Sequence, residues 1–151
     1  MTTQNLDVVE QQVRIAARPE TVFPFFTDPE KMTMWKGTWA NLDPRPGGMY
    51  RVNVTGTAVA RGEYLEINPV TRIVFTWGWE GRDSAVPPGS STVEVTLTPD
   101  GDGTVVRLRH KGLSAEAGVE HTQGWTHCLG RLTETSEGRD PGPDPMVTSH
   151  P

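Results

Sequence analysis

The segment 62–80 limits the possible folds of this chain more strongly than any other segment. Its pattern predicts two β-strands that are joined by an Asn-Pro turn at residues 68–69. Because side chains alternate between the two faces of a strand, the second strand presents four large apolar side chains on one face. These are Ile73, Phe75, Trp77 and Trp79. The hairpin therefore has an aromatic face, which either packs as ordinary core or lines a pocket for an apolar ligand.

Length, charge and hydropathy exclude several classes of protein. The chain has 151 residues, enough for one domain with its own core. The net charge is -5 and the basic residues are scattered singly, so we expect no nucleic-acid partner. No segment approaches the roughly 18 apolar residues of a membrane span, and the first residues do not resemble a secretory signal. We therefore expect a cytoplasmic protein, and the single cysteine, Cys128, agrees with a reducing compartment.

The chain opens with a strand and two short helices. Residues 8–16 alternate apolar and polar side chains, which predicts a strand with one wet face. Pro19 favours the start of a helix, and Pro24 interrupts that helix within two turns. Residues 27–30 have capping-box spacing, so they begin a second short helix that ends near Trp35.

Six further strands are predicted as an antiparallel meander, each bounded by turn residues. We expect them at residues 38–43, 49–55, 57–67, 72–79, 91–98 and 104–110. Their apolar positions define one buried face, whereas the opposite face is charged. The buried positions include Tyr50, Val52, Leu65, Ile67, Phe75, Trp77, Val106 and Leu108.

A long helix is predicted over residues 114–135, with Ser114 as its cap. Apolar side chains recur along it at helical spacing: Val119, Trp125, Cys128, Leu129 and Leu132. The elements together predict an α+β helix-grip fold, in which an antiparallel meander wraps around the C-terminal helix and two short helices follow the first strand. The domain covers residues 1–135. Residues 136–151 are rich in proline and glycine, and we expect a flexible tail there.

Several motifs occur in an order and spacing that resembles one known family. They are Pro19-Glu20 followed by Asp28-Pro29-Glu30 and Trp35, Pro46-Gly47-Gly48 before Tyr50, Gly62-x-Tyr64 through Trp77, His110-x-Gly112-Leu113, and His121-x-x-Gly124-Trp125. Over residues 13–132 the chain resembles START-like (SRPBCC) proteins of the group named after the activator of heat-shock protein 90 ATPase. The resemblance implies the START or Bet v 1-like form of the helix-grip fold. It also implies a chaperone partner, which we keep only as a minor alternative.

His110 is the first candidate for chemistry. It shares a strand face with Val106 and Leu108, which directs it towards the covering helix. It is either a buried, hydrogen-bonded histidine or a group that anchors a ligand or acts as a general base. Glu63 has the inward parity of Leu65, provided that no bulge reverses it. The resemblance implies that such a histidine and carboxylate could transfer protons, as in the cyclases of the superfamily.

A metal site is not favoured by the histidines near the end of the chain. His121 and His127 are six residues apart on the predicted helix, which separates them by about 240° around its axis. His121 and Cys128 share a face but lack a third ligand. We therefore expect no metal and no cofactor.

The leading functional prediction is the binding of an apolar or aromatic small molecule between the sheet and the long helix, with no firm catalytic role. The expected cavity residues are Trp35, Tyr50, Val52, Leu65, Phe75, Trp77, His110, His121 and Trp125. One alternative is an enzyme of the polyketide cyclase or dehydratase type that uses His110 and Glu63. Another is an interaction module that acts on a chaperone. An exposed edge strand would also be compatible with a homodimer.

Overall fold

A computed structural model describes residues 8–81, 84–145 and 147. Within this part of the chain, seven strands and three α-helices follow one another. In chain order they are β1 (Val8–Ile15), α1 (Pro19–Val22), α2 (Pro29–Trp35), β2 (Trp39–Leu42), β3 (Met49–Asn53), β4 (Val59–Asn68), β5 (Arg72–Trp77), β6 (Ser91–Asp100), β7 (Gly103–Lys111) and α3 (Ala115–Ser136). A 3-10 turn, Phe23–Phe26, joins α1 to the segment before α2.

The strands form one antiparallel sheet in the order β1-β7-β6-β5-β4-β3-β2. Strands β2 to β7 are a meander, and β1 pairs with the last strand, placing Val13 opposite Val106. One face of the sheet is buried under α3, which packs against β1 and α2. This architecture confirms the predicted α+β helix-grip fold.

The two faces of the sheet differ sharply in character. On the concave face, the side chains of Tyr50, Phe75 and Trp77 are buried and pack ring against ring, and Tyr50 stacks on Phe75 at 4.2 Å between centroids. On the convex face, Glu94 lies between cations of neighbouring strands and hydrogen-bonds Lys111 at 2.6 Å. That hydrogen bond lowers the pKa of the Glu94 carboxyl. The sheet therefore has one dry face and one charged face.

Local sequence explains the ends of the helices. Pro24 falls in the 3-10 turn, where its missing N–H is tolerated because the α-helix has already ended. Asp28, not Thr27, caps α2, and its carboxylate accepts a hydrogen bond from the Glu30 N–H at 2.9 Å. Ser114 caps α3 as predicted, accepting a hydrogen bond from the N–H of Ala117.

A bulge in β4 corrects two of the sequence predictions. Tyr64 pairs with Phe75, and Glu66 pairs with Val74, so Leu65 is the extra residue between them. Tyr64 is buried, whereas Leu65 is 47% exposed and Glu63 is exposed. The prediction assigned faces by counting back in steps of two from Ile67. The bulge adds one residue to that count, so residues before it lie on the opposite face from the one predicted. The placement of Leu65 in the cavity and the inward direction of Glu63 are therefore wrong.

Val119 is a smaller correction on α3. It is 62% exposed, although the other apolar residues of its predicted stripe are buried. Val119 precedes Trp125 by six residues, about 240° around the helix axis, and so lies away from the sheet.

The described part of the C-terminal segment lies against α3. The Nε2 of His127 hydrogen-bonds Asp144 at 2.7 Å, and Arg131 donates to the carbonyl oxygen of Gly142 at 3.0 Å. The carboxylate of Glu137 accepts a hydrogen bond from the N–H of Ala16 at 2.6 Å. The boundary at residue 135 and the flexibility of residues 136–151 stay predictions.

Candidate functional site

A cavity of about 280 Å³ opens between the first half of α3, the end of β5 and the turn that joins β3 to β4. Its walls are mainly aromatic and apolar. Trp77 and Trp79 form one side, Trp125 and Cys128 of α3 form another, and Val54 belongs to the turn. A mostly apolar concavity with a few polar groups is the usual form of a small-molecule site.

The predicted site residues fall into three groups. Trp77, His121 and Trp125 line the cavity. Five others are buried in the core behind it: Trp35, Tyr50, Val52, Phe75 and His110. Leu65 is on the outer face of the sheet. Trp77 and Trp125 pack against each other at 5.3 Å between centroids, so the two rings close the floor of the cavity and leave the space above it open.

Lys36 is the lining residue that sequence reasoning missed. It follows the last residue of α2 in an extended conformation, and its side chain is directed inward, with 2% of the residue exposed. Its Nζ lies 4.2 Å and 4.1 Å from the ring centroids of Trp77 and Trp125. It donates a hydrogen bond of 3.1 Å to the hydroxyl of Tyr50. No sequence signal distinguishes this lysine, because a lysine just after a helix is ordinarily solvated.

The charge of Lys36 is not paired with a carboxylate of the part of the chain that the structure describes. Among the described residues, no carboxylate oxygen lies within 4.0 Å of its Nζ. Burial lowers the pKa of the Lys36 amine from 10.5 to about 7. Burial also raises the pKa of the neighbouring Cys128 thiol to about 11, so that thiol is uncharged at neutral pH. The amine is therefore poised between its charged and neutral forms at neutral pH.

His121 holds the mouth of the cavity together. Its Nε2 accepts hydrogen bonds from the indole N–H of Trp79 at 3.0 Å and of Trp77 at 3.4 Å. Its Nδ1 must then carry the proton, which it donates to the carbonyl oxygen of Ala117 at 2.7 Å. Burial lowers the pKa of the imidazole. This neutral histidine joins the end of β5 to the first turns of α3, while the exposed Glu120 lies beside it at the rim.

His110 has no free nitrogen for catalysis. Its Nδ1 accepts a hydrogen bond from the indole N–H of Trp125 at 3.0 Å, so its Nε2 carries the proton and donates to Ser91 at 2.8 Å. The Ser91 hydroxyl in turn donates a hydrogen bond to the carbonyl oxygen of Trp77. The residue is fully buried, and burial lowers its pKa to about 3. The expected pairing of His110 with Glu63 is wrong, because Glu63 lies on the other side of the sheet.

Two further observations concern the described residues only. They contain no group of three or more histidine, cysteine, aspartate or glutamate side chains that could hold a metal ion. In residues 8–81, 84–145 and 147, no helix combines the length and the apolar character needed to cross a membrane.

An antiparallel meander closed by a long C-terminal helix, with a cavity between them, defines the START-like (SRPBCC) class of helix-grip domains. The family model described as "Activator of Hsp90 ATPase homolog 1-like protein" matches residues 16–137. The chain belongs to this family, as its motifs indicated. No curated protein matches the sequence.

Several solved structures are similar to this chain. The solution structure of an AHSA1-like protein from Rhizobium etli shares 51% identity, covers 95% of this chain and 89% of its own, and has a TM-score of 0.73. CalU16 from Micromonospora echinospora shares 29% identity over 92% of this chain and 79% of its own, also with a TM-score of 0.73. A Mesorhizobium loti protein at 24% identity covers 83% and 93% of the two chains with a TM-score of 0.75, which is a likeness of fold alone.

Proposed function

We propose that this protein binds an apolar or aromatic small molecule in the cavity between β5 and α3. The observation that carries the proposal is the cavity itself, about 280 Å³ of space with walls that include Trp77, Trp79 and Trp125. Flat aromatic walls contribute a large contact area, and a few polar groups at their edges orient a ligand. Lys36 and His121 are those polar groups here.

The hydrogen bonds of the walls support binding to a preformed site. The three indole N–H groups are each satisfied by a histidine nitrogen, so Trp77, Trp79 and Trp125 are held in place without a ligand. A site whose walls are already ordered loses little conformational entropy when a ligand enters.

The two alternative functions have weaker support. A cyclase that uses His110 as its base would need an imidazole that faces the cavity, whereas both nitrogens of His110 are engaged in the core. A chaperone-binding module would favour one contiguous apolar patch. Among the described residues, the large exposed apolar side chains number one on each of five elements: Met34, Trp39, Met49, Leu65 and Val119. A cytoplasmic location and a homodimer remain compatible with the proposal.

Gly124 permits a sharp test, because it lines the cavity from α3. A Cβ added at Gly124 would meet no neighbouring atom within 4 Å, so Gly124→Leu fills the space without a clash at its base. Native mass spectrometry of protein purified from its own host should show a retained ligand as added mass. We expect Gly124→Leu to lose that mass.

Gly130 is the matched control on the same helix. It is exposed, and a Cβ there also meets nothing within 4 Å. Both leucines favour the helix by about 1 kcal/mol relative to glycine, so the two variants gain similar local stability. Gly130→Leu should keep the added mass. Equal retention by both variants, or no ligand-dependent thermal stabilisation across a library of aromatic compounds, would contradict the proposal.

A further inference from the structure

Lys36 is a buried amine that has no anionic partner within residues 8–81, 84–145 and 147. Its Nζ has three hydrogens when protonated, and one of them is directed to the hydroxyl of Tyr50. The faces of Trp77 and Trp125 attract the cation but do not neutralise it. A buried charge ordinarily has a partner of opposite sign, because desolvation without one is costly. The place where such a partner could stand is the cavity that Lys36 lines.

The other polar groups around the cavity cannot supply this partner at neutral pH. The Cys128 thiol has its pKa raised to about 11 by burial, and burial likewise raises the pKa of the Tyr50 hydroxyl. His121 and His110 are neutral acceptors and donors with fixed partners. Glu120 is at the exposed rim, where water solvates its charge.

We propose that the ligand of this cavity is an apolar or aromatic carboxylic acid, whose carboxylate pairs with the Lys36 ammonium while its rings lie between Trp77, Trp79 and Trp125. The inference rests on the proposed function and adds the chemical class of the ligand. A carboxylate is favoured over a phenol because it is already ionised at neutral pH. A phenol would have to give its proton to an amine whose pKa is about three units lower than its own.

The test compares two probes of equal shape. 2-Naphthoate carries a carboxylate, and 2-naphthamide has the same two fused rings with a neutral amide. Isothermal titration calorimetry at pH 6.5 should show naphthoate binding at least about tenfold more tightly, because a hydrogen bond to a charged partner is stronger than one to a neutral partner. In Lys36→Met, which has an unbranched apolar side chain one atom shorter and removes the charge, the two probes should bind equally.

The dependence on pH adds an independent readout. The groups that face Lys36 from the surrounding elements are Tyr50 of β3, His110 of β7, and His121, Glu120 and Cys128 of α3. The pKa of Lys36 itself is about 7, whereas burial holds the pKa of both histidines below their usual range. The affinity for naphthoate should therefore fall by up to about tenfold per pH unit above pH 7, whereas the affinity for naphthamide stays level.

The outcomes separate the two proposals. If both probes bind wild-type protein equally, or if the preference for naphthoate persists in Lys36→Met, the pairing with Lys36 is refuted and the binding function stands. If neither probe binds wild-type protein, both proposals fail for this class of ligand. Retained binding of naphthamide by Lys36→Met shows that the variant is folded and its cavity intact.

Discussion

Lys36 illustrates how a single residue can set the character of a site without being visible in the sequence. The residue before it, Trp35, is buried and donates a hydrogen bond from its indole to the carbonyl oxygen of Phe25 at 2.9 Å. The chain leaves α2 in an extended conformation at Lys36, which turns the amine towards the inside. An amphipathic side chain of this length would ordinarily reach water. Here the neighbouring rings prevent it.

The free energy of unfolding of the protein should depend on pH because of this buried amine. The pKa of Lys36 is about 7 in the folded protein and about 10.5 when exposed, so the unfolded state binds more protons between these values. The free energy of unfolding of the wild type should therefore rise relative to that of Lys36→Met, by up to about 1.4 kcal/mol per unit between pH 7 and 10. Urea denaturation of both proteins at pH 7, 8 and 9 measures this difference. A difference that is independent of pH would show that the amine keeps its ordinary pKa.

Most of the aromatic residues near the site could be found from strand parity, but their roles could not. Parity directs His110 and Trp77 to the concave face, and both are there. Parity does not reveal that the indole of Trp125 occupies one nitrogen of His110 and Ser91 the other. Such contacts depend on rotamers and on residues distant in sequence, so the sequence alone could not distinguish a base from a structural histidine.

At the level of elements, β4 shows where pattern reasoning ends. The strands and the long helix were predictable because alternation and helical spacing persist over many residues. A bulge is one residue long and leaves no comparable pattern, so the face of every residue beyond it is assigned wrongly. Close to the bulge, at Gly62, a Cβ would lie 1.9 Å from the carbonyl oxygen of Thr76. The strand approaches β5 too closely there for any side chain.

The bulge yields a prediction about neighbouring residues of β4. Leu65→Lys should change the free energy of unfolding by less than about 0.5 kcal/mol, because Leu65 is half-exposed on the charged face. Tyr64→Ala should lower the free energy of unfolding by about 3–5 kcal/mol, because a fully buried ring is lost. The hydrogen bond from its hydroxyl to the carbonyl oxygen of Phe26 is lost with it. Chemical denaturation of the two variants compares them directly. A larger loss of unfolding free energy for Leu65→Lys than for Tyr64→Ala would contradict the bulge and favour a regular strand with Leu65 inward.

On the scale of the whole molecule, α3 is anchored unevenly. From Trp125 onwards, the helix buries Trp125, Cys128, Leu129 and Leu132. Before Trp125, the first half buries only Ala117 and Gly118, and hydrogen bonds to the His121 ring from Trp79 and to the Thr122 carbonyl oxygen from Gln11 attach it to its surroundings. Because the cavity lies beneath this first half, the space that could hold a ligand also reduces the packing of the helix above it.

Hydrogen exchange should reveal this difference along α3. The amides of residues 116–122 should exchange faster than those of residues 126–133, since local opening requires less apolar surface to be exposed there. A ligand in the cavity should slow exchange in the first half and leave the second half unchanged. Mass spectrometry of peptides from both halves, with β6 as the internal reference, measures this. Equal protection of the two halves without ligand would contradict it.

The position of Lys36 between two indoles has an optical consequence. Its ammonium lies about 4 Å from the ring centres of both Trp77 and Trp125, so gain or loss of its proton changes the electric field across both rings. The energy of indole emission depends on that field. The protein therefore contains its own unlabelled reporter, whose emission wavelength follows the charge state of one buried lysine.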